Sequence, residues 1–198
     1  MYMIMVSGSR NRAGRTARAI EAIGKGFTKA GGTTDYIFLP ELNIERCRQC
    51  DPDGSGICMR EHRCIIEDDF DAIVMKLNAA DAVVFASPVY FLDLSESLRA
   101  FMERLRRIKG PQKPLPGGIP RAARPGTTPA VGLCLAGSGG GGATNCCQIL
   151  EKLLLECGFD VVDMVPVRRQ NLEFKLPLLE LTGEWLATKP ASGPSTHT

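Results

Sequence analysis

The chain has 198 residues, with 24 basic and 22 acidic side chains, two histidines and a formal net charge of +2. So small an imbalance argues against nucleic acid, whose binders carry a clear basic excess. The apolar (44%) and charged (23%) fractions describe a globular chain long enough to bury a core. No stretch approaches the roughly 20 consecutive apolar residues of a membrane span, so no membrane partner is expected.

In chain order, residues 1–6 (Met1, Tyr2, Met3, Ile4, Met5, Val6) lack the charged flank and cleavage site of a signal peptide. Residues 3–6 read as a buried first strand, and the expectation is a cytoplasmic protein. After a polar turn, Ala17, Ile20, Ile23 and Phe27 recur at helical spacing until Gly31 and Gly32. Residues 33–39 are β-branched and aromatic, a second strand. Residues 40–64 carry cysteines without clear periodicity. In 68–79, Phe70, Ile73, Val74 and Leu77 share a helical face, with Asp68 or Asp69 as cap. The unbroken apolar run Ala82, Val83, Val84, Phe85, Ala86 predicts a central parallel strand covered on both faces.

Residues 95–108 form an amphipathic helix, in which Arg104, Arg106 and Arg107 read as a solvated helix end. Residues 110–129, rich in Pro, Gly and Arg, predict a long exposed connection. A strand (130–135), a glycine turn (136–142), a helix (145–157), a last strand (159–165) and a short closing helix (178–187) follow. The tail from 189 is polar and expected to fray.

Five strands alternating with helices predict an α/β doubly wound parallel sheet with helices on both faces. The flavodoxin-like strand order 2-1-3-4-5 is expected, with a ligand beyond the carboxyl ends of the strands. Residues 1–188 read as one domain with a cysteine-rich insertion at 41–66, and 189–198 as a flexible tail. No internal repeat is evident.

Three turns follow the first, third and fourth strands. The first runs Ser7, Gly8, Ser9, Arg10, Asn11, Arg12, Ala13, Gly14, Arg15, Thr16 into a helix. A helix N-terminus with hydroxyls at Ser9 and Thr16 and cations at Arg10, Arg12 and Arg15 suits a phosphate. It is neither a dinucleotide fingerprint nor a Walker A sequence, and a capped surface loop is the alternative. In the second turn, Ser87, Pro88, Val89, Tyr90, Phe91, the N–H groups after Pro88 can face a ligand's polar rim. Tyr90 and Phe91 can flank a flat ring, or pack in the core or at a subunit contact. The third turn is Ala136, Gly137, Ser138, Gly139, Gly140, Gly141, Gly142. Its glycines let backbone approach a ligand closely, against the alternative of a flexible linker.

Across residues 3–165 the sequence resembles the NADPH-dependent FMN reductase family, especially its iron–sulfur flavoprotein branch. The family's first turn reads approximately G-S-P-R-x-x-G-N-T. Gly8, Ser9, Gly14 and Thr16 fall on matching positions, while Arg10, Asn11 and Arg15 replace the family's Pro, Arg and Asn. Ser87 to Phe91 match S-P-V-Y-[FW], and the glycine turn matches the flavin-edge loop. The resemblance implies flavin mononucleotide (FMN) held by Ser9, Arg10, Arg12, Gly14, Arg15, Thr16, Pro88, Val89, Tyr90, Phe91, Ala136, Gly137, Ser138, Gly139 and Gly140. It implies an oxidoreductase whose flavin takes electrons from NAD(P)H or, through a cluster, from a partner such as ferredoxin. The acceptor would be a quinone, a flavin or another small molecule, and a homodimer or homotetramer is implied. No side chain need act as acid, base or nucleophile.

Cys47, Cys50, Cys58 and Cys64 lie within one segment. Thiolates are soft ligands, and four together suit a [4Fe-4S] cluster or zinc. All-cysteine zinc sites usually pair two C-x2-C knuckles, of which one is present. Free thiols are the third reading. Cluster-bearing family members space their first three cysteines more tightly; here extra residues fall within 51–57, in turn-forming sequence. Cys58, Cys64, Ile65, Ile66, Glu67, Asp68 and Asp69 match the end of the family pattern. His62 reads as an exposed loop histidine, and Cys134, Cys146, Cys147 and Cys157 as small core residues. Against the flavoprotein reading stands a zinc-stabilised or cofactor-free binding module on the same fold.

Overall fold

The computed structural model describes residues 1–50, 52, 56–109 and 128–188. Five parallel strands, β1 (Tyr2–Ser7), β2 (Thr33–Phe38), β3 (Ala82–Pro88), β4 (Pro129–Ala136) and β5 (Asp160–Arg168), hydrogen-bond in the order β2-β1-β3-β4-β5. The helices are α1 (Arg15–Lys29), α2 (Ile57–Glu61), α3 (Phe70–Ala79), α4 (Glu96–Lys109), α5 (Ala143–Glu156) and α6 (Leu172–Leu186). The expected strand order is therefore the observed one. The 110–127 part of the expected connection and the 189–198 tail lie outside the described residues.

Side chains alternate across the sheet and separate two cores. Ile4, Val6, Val83 and Phe85 face one way, against Phe70 of α3, Phe101 and Leu105 of α4 and Leu150 of α5. Met3, Met5, Val84 and Leu133 face the other, against Ile20, Ile23 and Phe27 of α1 and Leu179 of α6. Every residue of β4, and all of β3 up to Ser87, is buried, as expected for strands covered on both faces. Cys134, Cys146, Cys147 and Cys157 are buried in the first core, as the sequence indicates.

Three features depart from expectation. The short helix α2 interrupts the cysteine segment. The closing helix begins at Leu172 rather than 178: Pro177 lies inside it, and an Arg169–Asn171 turn leads into it. Asp69 occupies the N-cap of α3 without a side-chain cap; the Asp68 carboxylate instead accepts the Phe70 N–H at 3.1 Å.

Helices α1 and α6 approach through two glycines. A Cβ at Gly26 would fall 1.8 Å from the Glu180 carbonyl oxygen, and one at Gly183 would fall 1.9 Å from that of Ile23. Ion pairs Arg18–Glu173 (2.9 Å), Lys25–Glu180 (3.2 Å) and Lys29–Glu184 (2.6 Å) flank the seam, where their exposure makes each worth little. Gly183→Ala is expected to force the helices apart and cost about 1–3 kcal/mol, read as a lower urea midpoint. Leu181→Ala, at an exposed position on the same helix, should stay within about 0.5 kcal/mol of the parent.

Candidate functional site

Register places the three turns side by side. Ser7 pairs with Ala86, and Ser87 and Pro88 pair with Cys134 and Leu135, so β1, β3 and β4 end together at their carboxyl edge. Strand order reverses between β1 and β3, the place where ligands bind in open α/β sheets. The Gly8 N–H donates to the Ala86 carbonyl (2.9 Å), and the Ser97 hydroxyl donates to the Gly8 carbonyl (3.3 Å). At the other side, a Cβ on Gly142 would meet Leu92 Cδ2 at 2.7 Å and Val89 Cγ1 at 3.1 Å. The third turn therefore abuts the second, and the first is bonded to the end of β3 and the start of α4.

The first turn is held by its own polar groups. Ser9 N–H donates to Ser7 Oγ (3.2 Å), Asn11 N–H to Ser9 Oγ (3.3 Å) and Ala13 N–H to Asn11 Oδ1 (2.9 Å). Gly14 is the N-cap of α1, and no side chain caps the helix. The first-turn N–H groups of Arg15, Thr16 and Ala17 thus lack intrahelical partners and carry the positive end of the helix dipole. Thr16, in the first turn of this helix, is buried, at 3% exposure.

The three candidate arginines separate. Arg10 pairs with Glu96. Arg12 donates from Nε to Glu41 (2.6 Å) and lies over the Phe38 ring, 4.5 Å from its centroid. The Glu41 carboxyl is correspondingly held below the usual carboxylate range. Arg15 is exposed and, among the described residues, has no carboxylate partner. It is the cation of the three left to an anion.

The second turn corrects one expectation. The N–H groups immediately after Pro88 do not face a ligand: Val89 N–H donates to the Leu135 carbonyl (2.9 Å) and Tyr90 N–H to that of Asp93 (3.0 Å). Asp93 N–H returns a bond to the Tyr90 carbonyl (2.9 Å), closing a two-residue turn. Its central residues, Phe91 (φ 49°) and Leu92 (φ 66°), both have positive φ in a conformation that favours Asn-Gly. Such strain costs about 1–3 kcal/mol per residue and collects at ligand clamps. Phe91 is fully exposed and Tyr90 half exposed, which removes core packing as the reason for these aromatics.

In the third turn, Ala136 is buried at the end of β4 and Gly140 is buried, while Ser138 and Gly139 are exposed. A Cβ at Gly137, Gly139 or Gly141 would meet nothing within 4 Å, so this backbone borders open space. Gly140 and Gly142 adopt φ of 76° and 83°. Gly142 caps α5 without a side-chain bond, leaving a second uncapped helix N-terminus at the same edge.

Cys47, Cys50, Cys58 and Cys64 line one small, partly open cavity. Burial pushes the Cys58 thiol up; Arg107 opposes this, while Cys47 and Cys64 add to it. Among the described residues no group of three His, Cys, Asp or Glu side chains is drawn close enough to hold a metal ion. The four thiols thus share a cavity without closing into a cage. Residues 51 and 53–55 of the turn-forming stretch lie outside the described residues. His62 is exposed, with Nδ1 2.9 Å from the Ile108 carbonyl oxygen.

Arg104 overturns the solvated-helix-end expectation. Its side chain is 2% exposed and grips the fully buried Asp68 carboxylate, Nη1 to Oδ2 at 2.5 Å and Nη2 to Oδ1 at 2.9 Å. Burial works to raise the Asp68 pKa, but Arg104 and the N–H groups of Glu45 and Phe70 outweigh it and hold the carboxyl below its ordinary range. The signal lay in the spacing: residue 104 falls three after Phe101 and four before Ile108, on the buried stripe. Sequence reading gave no individual role to Ser7, Ser87, Ser95 or Ser97. The Ser95 N–H donates to Ser87 Oγ (2.8 Å), tying the start of α4 to the end of β3.

The sequence profile of the NADPH-dependent FMN reductase family matches residues 1–172. An iron-sulfur flavoprotein of Methanocaldococcus jannaschii is 31% identical over 166 residues, covering 84% of this chain and 78% of that protein. An iron-sulfur flavoprotein of Methanosarcina thermophila is 30% identical over 104 residues, 52% of each chain, so the match spans about half the length of that relative. Among solved structures, an NAD(P)H:quinone oxidoreductase from Methanothermobacter marburgensis superposes with a TM-score of 0.69 at 20% identity, over 98% of this chain and 99% of that one. At that identity the likeness is one of fold.

Ser9→Ala with Thr16→Ala is expected to weaken FMN about tenfold or more, two lost hydrogen bonds to a charged group, and to leave riboflavin unchanged. Fluorescence titration with both flavins reads this; equal losses for both would place the phosphate elsewhere.

Proposed function

The chain belongs to the NADPH-dependent FMN reductase family, and on that premise we propose that it binds FMN across its three turns and passes electrons through it. The observation that carries this reading is the convergence of the turns after β1, β3 and β4 at the sheet's switch point. The residues fit the ligand. The uncapped N-terminus of α1, Ser9, Thr16 and Arg15 would hold the phosphate. The free backbone of the glycine turn would border the ring's polar edge, with the N–H groups of Phe91 and Leu92 in place of those of Val89 and Tyr90. Tyr90 and Phe91 would cover the ring and keep water from it. FMN, when bound, supplies hydride and single-electron chemistry that no side chain here performs.

We further propose that Cys47, Cys50, Cys58 and Cys64 hold a [4Fe-4S] cluster. The donor chemistry fits: four soft thiols on one cavity, with the cations Arg104 and Arg107 in its wall to offset the negative charge of a thiolate-ligated cluster. The curated relatives at 31% and 30% identity are named iron-sulfur flavoproteins, which supports the same reading. NAD(P)H or ferredoxin as donor, a quinone, flavin or other small-molecule acceptor, a homodimer or homotetramer and a cytoplasmic location complete the proposal. No helix among the described residues is long and apolar enough to cross a membrane.

Anaerobic purification is expected to give coloured protein with flavin bands over broad iron–sulfur absorption, and about four iron and four sulfide per chain. Cys58→Ser should lose the iron and keep the flavin. Protein that stays colourless with excess FMN would refute the flavin reading. Zinc without sulfide would replace the cluster by a structural metal.

A further inference from the structure

Arg104 does more at the cysteine cavity than neutralise Asp68. A guanidinium has five N–H donors. Nη1 reaches the Glu45 carbonyl (3.0 Å) and Asp68 Oδ2, and Nη2 reaches Asp68 Oδ1 and, at 3.5 Å, the Ile66 carbonyl. One face of the group lies over the Phe70 ring, 4.1 Å from its centroid. The Nε–H is left over. Among the described residues, Arg104 Nε is the sole buried side-chain nitrogen or oxygen without a hydrogen-bond partner. An unmatched buried donor costs about 1–3 kcal/mol, more on a charged group, and Asp68 already takes the donors that its geometry allows.

The unmatched donor belongs to a residue that lines the cysteine cavity, to which four cysteines bring sulfur acceptors. Cys64 lies beside it: burial works against the Arg104 charge, but Asp68 and Cys64 together outweigh burial and keep the guanidinium protonated. We propose that Arg104 donates its Nε–H to sulfur in this cavity, the Cys64 thiolate or a sulfide of the cluster, and so raises the cluster's reduction potential. This rests on the cluster reading above. An N–H···S bond and a fixed positive charge both favour the more negative, reduced state, and hydrogen bonds to sulfur are a recognised lever on such potentials. Arg104 is a positioning residue, since it also ties Glu45 and Ile66, at the two ends of the cysteine segment, to α4.

The test compares the anaerobically reconstituted full chain with Arg104→Lys, which keeps the charge but lacks the fork, and with the Arg104→Gln/Asp68→Asn pair, which removes both buried charges together. Iron and sulfide content is measured first, then the cluster's midpoint potential by redox titration followed by EPR. At the wild-type midpoint, the double variant's ratio of reduced to oxidised cluster is expected to fall about tenfold, 59 mV for a one-electron couple. Arg104→Lys should fall between. Full iron with an unchanged potential in both variants overturns the proposal and leaves the cluster reading intact. Wild-type protein that takes up no iron and sulfide overturns the cluster reading and the proposal with it. Should the variants fail to fold, the wild type with ¹⁵N-arginine decides the matter. Pulsed EPR of its reduced cluster is expected to show a coupled ¹⁵N and an exchangeable proton, and their absence overturns the proposal.

Discussion

Parallel hydrogen bonding of β1 to β3 and β3 to β4 carries the rest of the molecule. It ends three strands within a residue or two of one another and sends the chain from each into a helix-forming stretch. Parallel pairing requires crossovers, crossovers place helices on both faces, and burial on both faces calls for the unbroken apolar runs of β3 and β4. The polar groups of the turns cannot enter that core. They collect at its edge, where two helices begin without side-chain caps. The candidate ligand edge is thus a consequence of sheet geometry, and the turn sequences would decide what it accepts.

Helix α4 joins this edge to the cysteine cavity. Near its start, Ser97 bonds Gly8 and Glu96 pairs with Arg10 of the first turn. About 10 Å further along the axis, Arg104 grips Asp68 and both ends of the cysteine segment. Breaking such a buried pair by removing one partner costs about 3–5 kcal/mol, because a charge is left uncompensated. Among its described residues the segment's regular structure is the short α2, and its route is set by this clamp together with Asp69, which accepts the Asn43 N–H at 2.7 Å.

Where hydrophobic periodicity was strong, the sequence was legible. The apolar run 82–86 and the spacing of Ala17, Ile20, Ile23 and Phe27 correspond to β3 and α1. Glycine and Pro-Val-Tyr-Phe chemistry located the turns. Individual donors were harder to read. Sequence cannot tell that Leu135 takes the Val89 N–H, because that bond depends on the offset of β3 and β4. Nor does it separate Arg15 from Arg10 and Arg12, whose partners Glu96 and Glu41 lie 86 and 29 residues away. Arg104 was misread because adjacent arginines suggested solvent, although its place on the stripe of Phe101, Leu105 and Ile108 made it a core position. The length of α6 was obscured by Pro177, which usually marks a boundary and here lies inside the helix.

The central claim is that three separate turns clasp one ligand. Hydrogen–deuterium exchange of the chain with and without FMN tests it most directly. The account predicts slowed exchange together in 8–17, 89–94 and 136–145, with the cysteine segment unchanged. Protection confined to a single turn, or largest in a segment away from the carboxyl edge of β1, β3 and β4, would contradict it.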